Sequence, residues 1–479
     1  MNIIKKYLVL HPFLFAWLPI LHLYSLNFFE YPPYVLIKPF IVLTSITIAF
    51  LFISQRFFHD RFKFAVIFSV SVLMIFIFHS FEEFFERLSF GFLRFRIIAF
   101  IYLLIFAGIL FSLIRARIDF KRLSYFFNIS GIIILLIIST NFIGKLWARN
   151  KDITVKPQGL QKEIKNKIRF EDMPDIYYII LDSYPEKDVL SHVTGFDNFE
   201  FIDYLKSKGF FVTKKNRCNY TFTKFSMAST LNMEFLPVKE IESGVFELKK
   251  GIKFNKGIEG NKVVSIFRSM GYRYIDLSIW NKRYYDIDFT GSLLFMTIIR
   301  APGIGNFIAG LLLRDYVMDT LDILQRPIDS NEPFFVYCHV MIPHFPAMFD
   351  ENGKTPSIIK PDKKTLYLDQ LKYTNKRMKK VIDSIIMNSK RTPIIIIQGD
   401  HGADSLTEDK KKSMKLRKSI LNAAYLPGLK ENIFYNGMTS INTFRIIFNR
   451  YFAIDLKPLP DVTYYQDYEK GRLYLYSPD

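Results

Sequence analysis

Cysteine is scarce in this chain: 479 residues contain only Cys218 and Cys338. Two thiols cannot build the disulfide framework of a small secreted domain. Both lie in apolar segments and read as free, buried thiols. Acidic residues are the rarer charge, 45 Asp and Glu against 64 Lys and Arg, for a formal net charge of +19. Such an excess suits a surface facing anionic lipid or an anionic substrate. No zinc-finger spacing or RNA-binding signature accompanies it, so nucleic acid is not an expected partner. Lysines beside a membrane explain the charge more simply. Long uncharged runs are nearly confined to the part before Lys151. The first of them follows Lys5 and Lys6 without a small-residue cleavage site, so it reads as an uncleaved anchor rather than a removed signal peptide.

What is abundant is apolar: 50% of the residues are hydrophobic and 17% aromatic, with 50 Phe. The length exceeds one ordinary domain, and the composition divides into a membrane part and a soluble part. Five stretches have bilayer-spanning length, at about Tyr7–Leu26, Tyr34–Ile53, Phe64–Phe81, Ile97–Ile114 and Asn128–Leu146. Lys and Arg alternate between their connections. Arg56, Arg61 and Lys63 occupy the second and Arg115, Arg117, Lys121 and Arg122 the fourth. The first has none, and the third mixes Glu82, Glu83 and Glu86 with Arg87, Arg94 and Arg96. This pattern predicts a cytoplasmic N-terminus, and an odd number of spans puts the rest of the chain outside the cytoplasm. Lys38, near the outer end of the second span, can snorkel to the interface. His11, His22, His59 and His79 are scattered singly through this half and read as packing or interfacial residues rather than a proton relay. The expected organisation is a transmembrane domain over 1–149, a polar, Lys-rich linker over 150–172 and a catalytic domain over 173–479.

The soluble half reads as α/β, a mainly parallel sheet flanked by helices. Asp175-Ile-Tyr-Tyr-Ile-Ile-Leu-Asp182 is a continuous apolar run of the kind that forms a strand buried on both faces. Its terminal carboxylate falls where open α/β sheets place their ligands; a helix N-cap is the competing reading. A second such run, Thr392-Pro-Ile-Ile-Ile-Ile-Gln-Gly, ends in Asp400, His401 and Gly402. An adjacent Asp and His offer a hard oxygen and a borderline nitrogen, a mix that suits Zn²⁺ or Mn²⁺, and the flanking glycines let the backbone turn sharply. A third run, Pro333 to Met341, leads through His339 to His344 between two prolines. His339, inside the run, reads first as a satisfied core histidine. His344 sits in a loop that proline fixes and is the better candidate for protonating a leaving oxygen or holding substrate charge. A helix over Tyr367–Met387 and a late helix over Asn442–Asp455 complete the rhythm.

A nucleophile is expected in Asn219-Tyr-Thr-Phe-Thr-Lys-Phe-Ser-Met-Ala-Ser, which is dense in hydroxyls ahead of a helical stretch. Thr221 or Thr223 could cap that helix, where oriented N–H groups favour an alkoxide and the phosphate it attacks. Both stand equally as mere caps or core hydroxyls when the segment is taken alone.

Taken in order, Tyr177-Tyr-Ile-Ile-Leu-Asp-Ser-Tyr, Asn219 to Ser229, Pro343-His-Phe-Pro, Gln398-Gly-Asp-His-Gly, Ala424-Tyr-Leu-Pro-Gly and Asn442-Thr-Phe-Arg resemble the alkaline-phosphatase superfamily. The similarity is to its membrane-bound sulfatase-like branch, which contains lipoteichoic-acid synthases and phosphoethanolamine or phosphoglycerol transferases. The resemblance implies one divalent metal ion, Mn or Zn, held by Asp182, Asp400, His401 and the oxygen of the nucleophile. It implies Thr223, three residues before Ser226, as that nucleophile rather than Thr221. It sets His344 on the substrate side of the metal, with His339 a further candidate for substrate contact. Transferases of the branch often carry Glu where this chain has Asp182, which leaves the identity and geometry of the metal open. Formylglycine-forming sulfatases carry Cys/Ser-x-Pro-x-Arg, and Cys218 is followed by Asn219, Tyr220, Thr221 and Phe222 instead. Phosphorus chemistry through a phosphothreonine-type intermediate is therefore favoured.

Three readings follow. The first is a transferase moving a phosphoglycerol or phosphoethanolamine-type group from a membrane lipid donor to a cell-surface glycan or lipid acceptor. The second is an extracytoplasmic phosphodiesterase or sulfuric ester hydrolase. The third, opposed by the joint presence of Asp182, Thr223, Asp400 and His401, is a non-catalytic member of polysaccharide assembly. In any of them the chain is a multi-pass protein of the plasma or inner membrane. The basic run Lys410-Lys-Lys-Ser-Met-Lys-Leu-Arg-Lys reads as a solvated surface, or as a holder of anionic headgroups.

Overall fold

The computed structural model describes residues 9–26, 36–57, 60–88, 95–149, 173–248, 260–278, 304–356, 362–403, 406–429, 431–467 and 472–476. The expected linker 150–172, His59 and the whole first connection lie outside these residues. The chain divides into two compact units.

The first unit holds the helices α1 (His11–Leu26), α2 (Ile37–Phe57), α3 (Arg61–Leu88), α4 (Phe95–Arg115) and α5 (Phe120–Arg149), one on each apolar run. Two, over Arg61–Phe78 and Phe120–Thr140, are long and apolar enough to cross a membrane by length and composition; Ile37–Ile53 and Phe100–Arg115 are shorter apolar helices. Helices α3 and α5 start behind aspartates that satisfy their first amides. Asp60 accepts from Phe62 N and Lys63 N, and Asp119 accepts from Lys121 N and Arg122 N. Basic Lys121 and Arg122, expected in a connection, thus belong to the first turn of α5, and Glu82, Glu83 and Glu86 extend α3. Apolar side chains point outward in number, with Phe52 75% and Phe126 61% exposed, more than a water-facing surface carries. Helix α1 is the inner one. His11 is fully buried, its ring nitrogens 2.6 and 2.8 Å from Ser69 Oγ and Ser124 Oγ, so its polar ring joins α1 to α3 and α5. That fits the packing reading.

The second unit is a layered α/β domain. Among the described residues its strands are β1 (Ile176–Leu181), β2 (Phe211–Val212), β3 (Val238–Glu242), β4 (Val245–Leu248), β5 (Arg273–Ser278), β6 (Phe334–Val340), β7 (Ile394–Gly399), β8 (Asn422–Tyr425), β9 (Thr463–Asp467) and β10 (Arg472–Tyr476). Six form the main sheet in the order β2-β8-β7-β1-β6-β5. The four strands from β7 to β5 are parallel and β8 is antiparallel to both its neighbours. The sheet is therefore the expected mainly parallel one, and the three apolar runs are its centre. Every residue of β1, β6 and β7 is buried, each large aliphatic side chain contributing about 1.5–3 kcal/mol by leaving water. Helices cover the sheet. The longest, Lys363–Asn388, begins at Asp362, whose carboxylate accepts from Thr365 N; the late helix covers Thr443–Phe452. A smaller antiparallel sheet, β3-β4-β10-β9, lies beside the segment before Thr223. Tyr464 of β9 stacks on Tyr220 at 5.2 Å, and its N–H donates to Asn219 O.

Candidate active site

Register brings the site together. In the parallel pairing, Leu181 of β1 lies between Val340 of β6 and Gly399 of β7. The next residue on each side of the β1–β7 pair is an aspartate, so Asp182 and Asp400 emerge side by side at the carboxyl edge of the sheet. Neither is a helix cap: the helix after β1, Lys187–Thr194, is capped by Glu186. Asp182, Asp400 and His401 each offer a ligand atom within 4.8 Å of the others, the group among the described residues able to hold a metal ion. All three are buried.

Thr223 joins them. Its Oγ1 is 3.0 Å from His401 Nε2, the same nitrogen that lies 3.3 Å from Asp400 Oδ2 and 3.8 Å from Asp182 Oδ1. Thr223 is the first residue of the helix Thr223–Asn232, whose cap position is Phe222 and carries no side-chain cap bond. The expectation that Thr221 or Thr223 caps this helix is thus not met: the hydroxyl of Thr223 turns to the histidine, and Thr221 is buried. Ser226, one turn along, donates its hydroxyl to Asp400 O at 2.6 Å and ties the helix to the β7 loop.

The residues present fit a divalent cation. Asp400 Oδ2 is buried and has no hydrogen-bond partner, an arrangement that costs free energy unless a cation or solvent compensates it. Asp400 Oδ1 is fixed by the N–H groups of Ser183 (3.0 Å) and His401 (2.8 Å), which leaves Oδ2 pointing at the cluster. Protonation states agree. Burial works to raise the pKa of Asp182, but His344, the hydrogen bond from His339 and His401 outweigh it and hold the carboxyl well below its usual range. Burial, reinforced by Arg417, lowers His401 to about 4. An ionised carboxylate and a neutral imidazole are the forms a metal requires.

The histidines fall apart in role. His339 has no exposed surface, and its Nε2 is 3.2 Å from Asp182 Oδ2. Burial alone would lower its pKa, but the bond to Asp182 and the charges of Asp182, Asp400 and Asp276 raise it. His344 is half-buried, its ring 6.1 Å from that of His401. Its loop contains cis bonds before Pro343 and Pro346 and is held by Gln370, which donates to His344 O (2.8 Å) and accepts from Met348 N (2.6 Å).

The glycines flanking the Asp-His pair serve close approach rather than a turn, since neither has a positive φ. A Cβ on Gly399 would lie 2.4 Å from Tyr184 O, and one on Gly402 only 1.9 Å from Leu416 O. Ser183 is a site residue the sequence did not reveal. It adopts a left-handed backbone (φ 62°), places its N–H on Asp400 and sets its hydroxyl 3.2 Å from Asp182 Oδ1 and 3.3 Å from His401 Nδ1. The adjacency Asp182-Ser183 was the available signal, but nothing in it specifies that conformation. Cys218 is fully buried, and burial pushes its thiol up to about 12, which removes it as a nucleophile.

Residues 174–449, more than half of the chain, match the Sulfatase family. No curated protein sequence matches the chain. Among solved structures, it is similar to the C-terminal periplasmic domain of EptC from Escherichia coli in its zinc complex, at 9% identity and TM-score 0.42, covering 64% of this chain and 92% of that one. It is similar to the lipoteichoic acid synthase LtaP from Listeria monocytogenes at 13% identity and TM-score 0.38, covering 65% and 78%. The phosphoethanolamine transferase EptA from Neisseria meningitidis gives 14% identity and TM-score 0.36, covering 69% and 61%. With its buried Asp-Asp-His cluster at the carboxyl edge of a mainly parallel sheet and its sulfatase match over the whole of that sheet's central part, this chain belongs to the sulfatase family and is an enzyme of the sulfatase-like hydrolase and phosphotransferase kind.

Proposed function

We propose that the protein transfers a phosphoglycerol or phosphoethanolamine-type group from a membrane lipid to a cell-surface glycan or lipid, using Thr223 as nucleophile. The observation that carries this reading is the position of Thr223 Oγ1, 3.0 Å from His401 Nε2 within the Asp182–Asp400–His401 cluster. Asp182, Asp400, His401 and Thr223 would hold one divalent ion, Mn or Zn. Such an ion supplies Lewis-acid polarisation of the ester and makes a neighbouring hydroxyl more acidic. The chain's own residues do the rest. Thr223, its hydroxyl proton lost to solvent before substrate binds, attacks phosphorus as the alkoxide; the lipid alkoxide leaves, and protonated His344 gives that oxygen its proton. An acceptor hydroxyl then displaces threonine from phosphorus in a second in-line step and gives its proton to His344. Ser183 and His339 orient Asp400 and Asp182. His339, without exposed surface, acts through Asp182 rather than by touching substrate.

Under this reading residues 1–149 are a five-span membrane domain, 150–172 a tether and 173–479 an extracytoplasmic catalytic domain of the plasma or inner membrane. The family match favours a hydrolase as second reading, with water in place of the acceptor. The absence of Cys/Ser-x-Pro-x-Arg after Cys218 weighs against sulfate as its ester.

The test is cleavage of a chromogenic phosphodiester and a chromogenic sulfate ester by the full chain in detergent, with Mn²⁺ or Zn²⁺ and with Thr223→Ala as control. Diester cleavage lost in the variant supports phosphorus chemistry at Thr223. Sulfate cleavage would put the hydrolase first, and full activity of Thr223→Ala would end the threonine mechanism.

A further inference from the structure

The basic run 410–418 does not behave as one solvated stretch. It forms a helix, Lys410–Lys418, capped by Asp409, which accepts from Lys411 N and Lys412 N. Lys410, Lys411, Lys412 and Lys415 are exposed, whereas Leu416 is fully buried. The last turn of the helix and the residues after it are joined to both loops of the active site.

On one side, Gly402 N, immediately after His401, donates to Arg417 O at 2.7 Å. Gly402 lies so close to this turn that no side chain fits between them. On the other side, Arg417 Nε donates to Thr221 O at 2.9 Å, two residues before Thr223. Cys218 N donates to Lys418 O at 2.9 Å and Ile420 N to Asn216 O at 3.1 Å, so the whole nucleophile segment hangs along this turn. The main chain of Arg417 therefore holds the loop of His401, and its side chain holds the loop of Thr223.

We infer that Arg417 is a positioning residue: its Nε–H sets the approach of Thr223 Oγ1 to His401 Nε2. The inference rests on the proposed role of Thr223, and it separates the effect of a donor from the effect of charge. Glutamine carries its amide nitrogen the same number of bonds from Cα as the Nε of arginine, and so keeps the donor without the guanidinium charge. Methionine has comparable length and no donor.

The experiment uses the full chain in detergent and reads two quantities for wild type, Arg417→Gln, Arg417→Met and Thr223→Ala. The first is the Mn²⁺ dissociation constant by calorimetry, with the thermal midpoint recorded alongside. The second is kcat and KM on the chromogenic phosphodiester. Arg417→Met is expected to weaken Mn²⁺ about 10- to 100-fold and to lower kcat by a similar factor with KM little changed, as supporting residues of metal sites do. Arg417→Gln is expected to stay near wild type in both. Wild-type behaviour of Arg417→Met in both readouts overturns the inference. So does equal failure of Arg417→Gln and Arg417→Met, which would assign the effect to charge. If the wild type cleaves no diester, the functional reading fails, yet the Mn²⁺ series across the Arg417 variants still decides the positioning role. A thermal midpoint lowered in Arg417→Met and restored in Arg417→Gln, with Mn²⁺ affinity unchanged in both, would show a structural tie only and overturn it too.

Discussion

Thr223 and His401, 178 residues apart, meet through one hydroxyl and one ring nitrogen at 3.0 Å. Two links join their segments: Ser226 to Asp400 O, and Arg417, which donates to Thr221 O and accepts from Gly402 N. Neither link involves Thr223 or the His401 ring, so the pair is held by its surroundings.

Removing the hydroxyl should abolish chemistry without unfolding the protein. Thr223 is half-buried and its hydroxyl caps nothing, so Thr223→Ala should lower kcat by about 10³-fold or more with a thermal midpoint close to wild type. Steady-state kinetics with parallel thermal scans decide it. Thr223→Ser, which keeps the oxygen, should retain part of the activity.

The imidazole of His339 should matter through Asp182. Replacing it by Phe leaves Oδ2 of a buried carboxylate without the hydrogen bond from His339, and Mn²⁺ affinity should fall about 10- to 100-fold. A rise in KM with metal affinity unchanged would instead return His339 to the substrate.

Gly402→Ala should be far worse than an ordinary glycine replacement, because the new methyl would meet Leu416 O and Ser419 O at 1.9 and 2.5 Å. Backbone cannot retreat as a side chain can, and overpacking of this kind costs about 1–3 kcal/mol or more. Chemical denaturation of Gly402→Ala beside Gly108→Ala, which has open space at its Cβ position, gives the comparison. Equal stability would mean that the 402–416 contact is looser than described.

Asp175, at the foot of β1, should give stability an acid-side slope. Burial raises its pKa from 3.8 to about 6, against the opposing pull of Phe334 N–H and Arg391. The folded chain thus keeps a proton that the unfolded chain releases near 3.8. The favourable contribution is complete below that value and is lost as pH rises through about 6. Asp175→Asn keeps the acceptor for Phe334 N and removes the titration. The difference in thermal midpoint between variant and wild type should therefore grow in favour of the variant from pH 4 to pH 7, and a constant difference would exclude the effect.

Much of this protein is written locally. Short unbroken apolar runs rich in Ile, Tyr, Phe and Val suit strands buried on both faces, and β1, β6 and β7 stand where those runs stand. The carboxylate and imidazole at their ends follow from the same reasoning, because a parallel sheet exposes ligands at its carboxyl edge. Five apolar runs likewise became five helices, since length and apolarity act residue by residue. What the sequence left open was settled by contacts between distant segments. Thr221 and Thr223 are alike as hydroxyls near a helix start, and only the packing of helix Thr223–Asn232 against the β7 loop turns one of them to His401. The glycines beside Asp400 looked like turn residues, but they are small because other backbone occupies the space a Cβ would need. Nothing local specifies the partners of Ser183, Gln370 and Arg417, whose bonds to Asp400, His401, His344, Met348 and Thr221 span 22 to 218 residues. Hydrophobic periodicity is a property of neighbours in the chain, whereas the direction of a polar side chain depends on which partners the finished fold brings within about 3 Å.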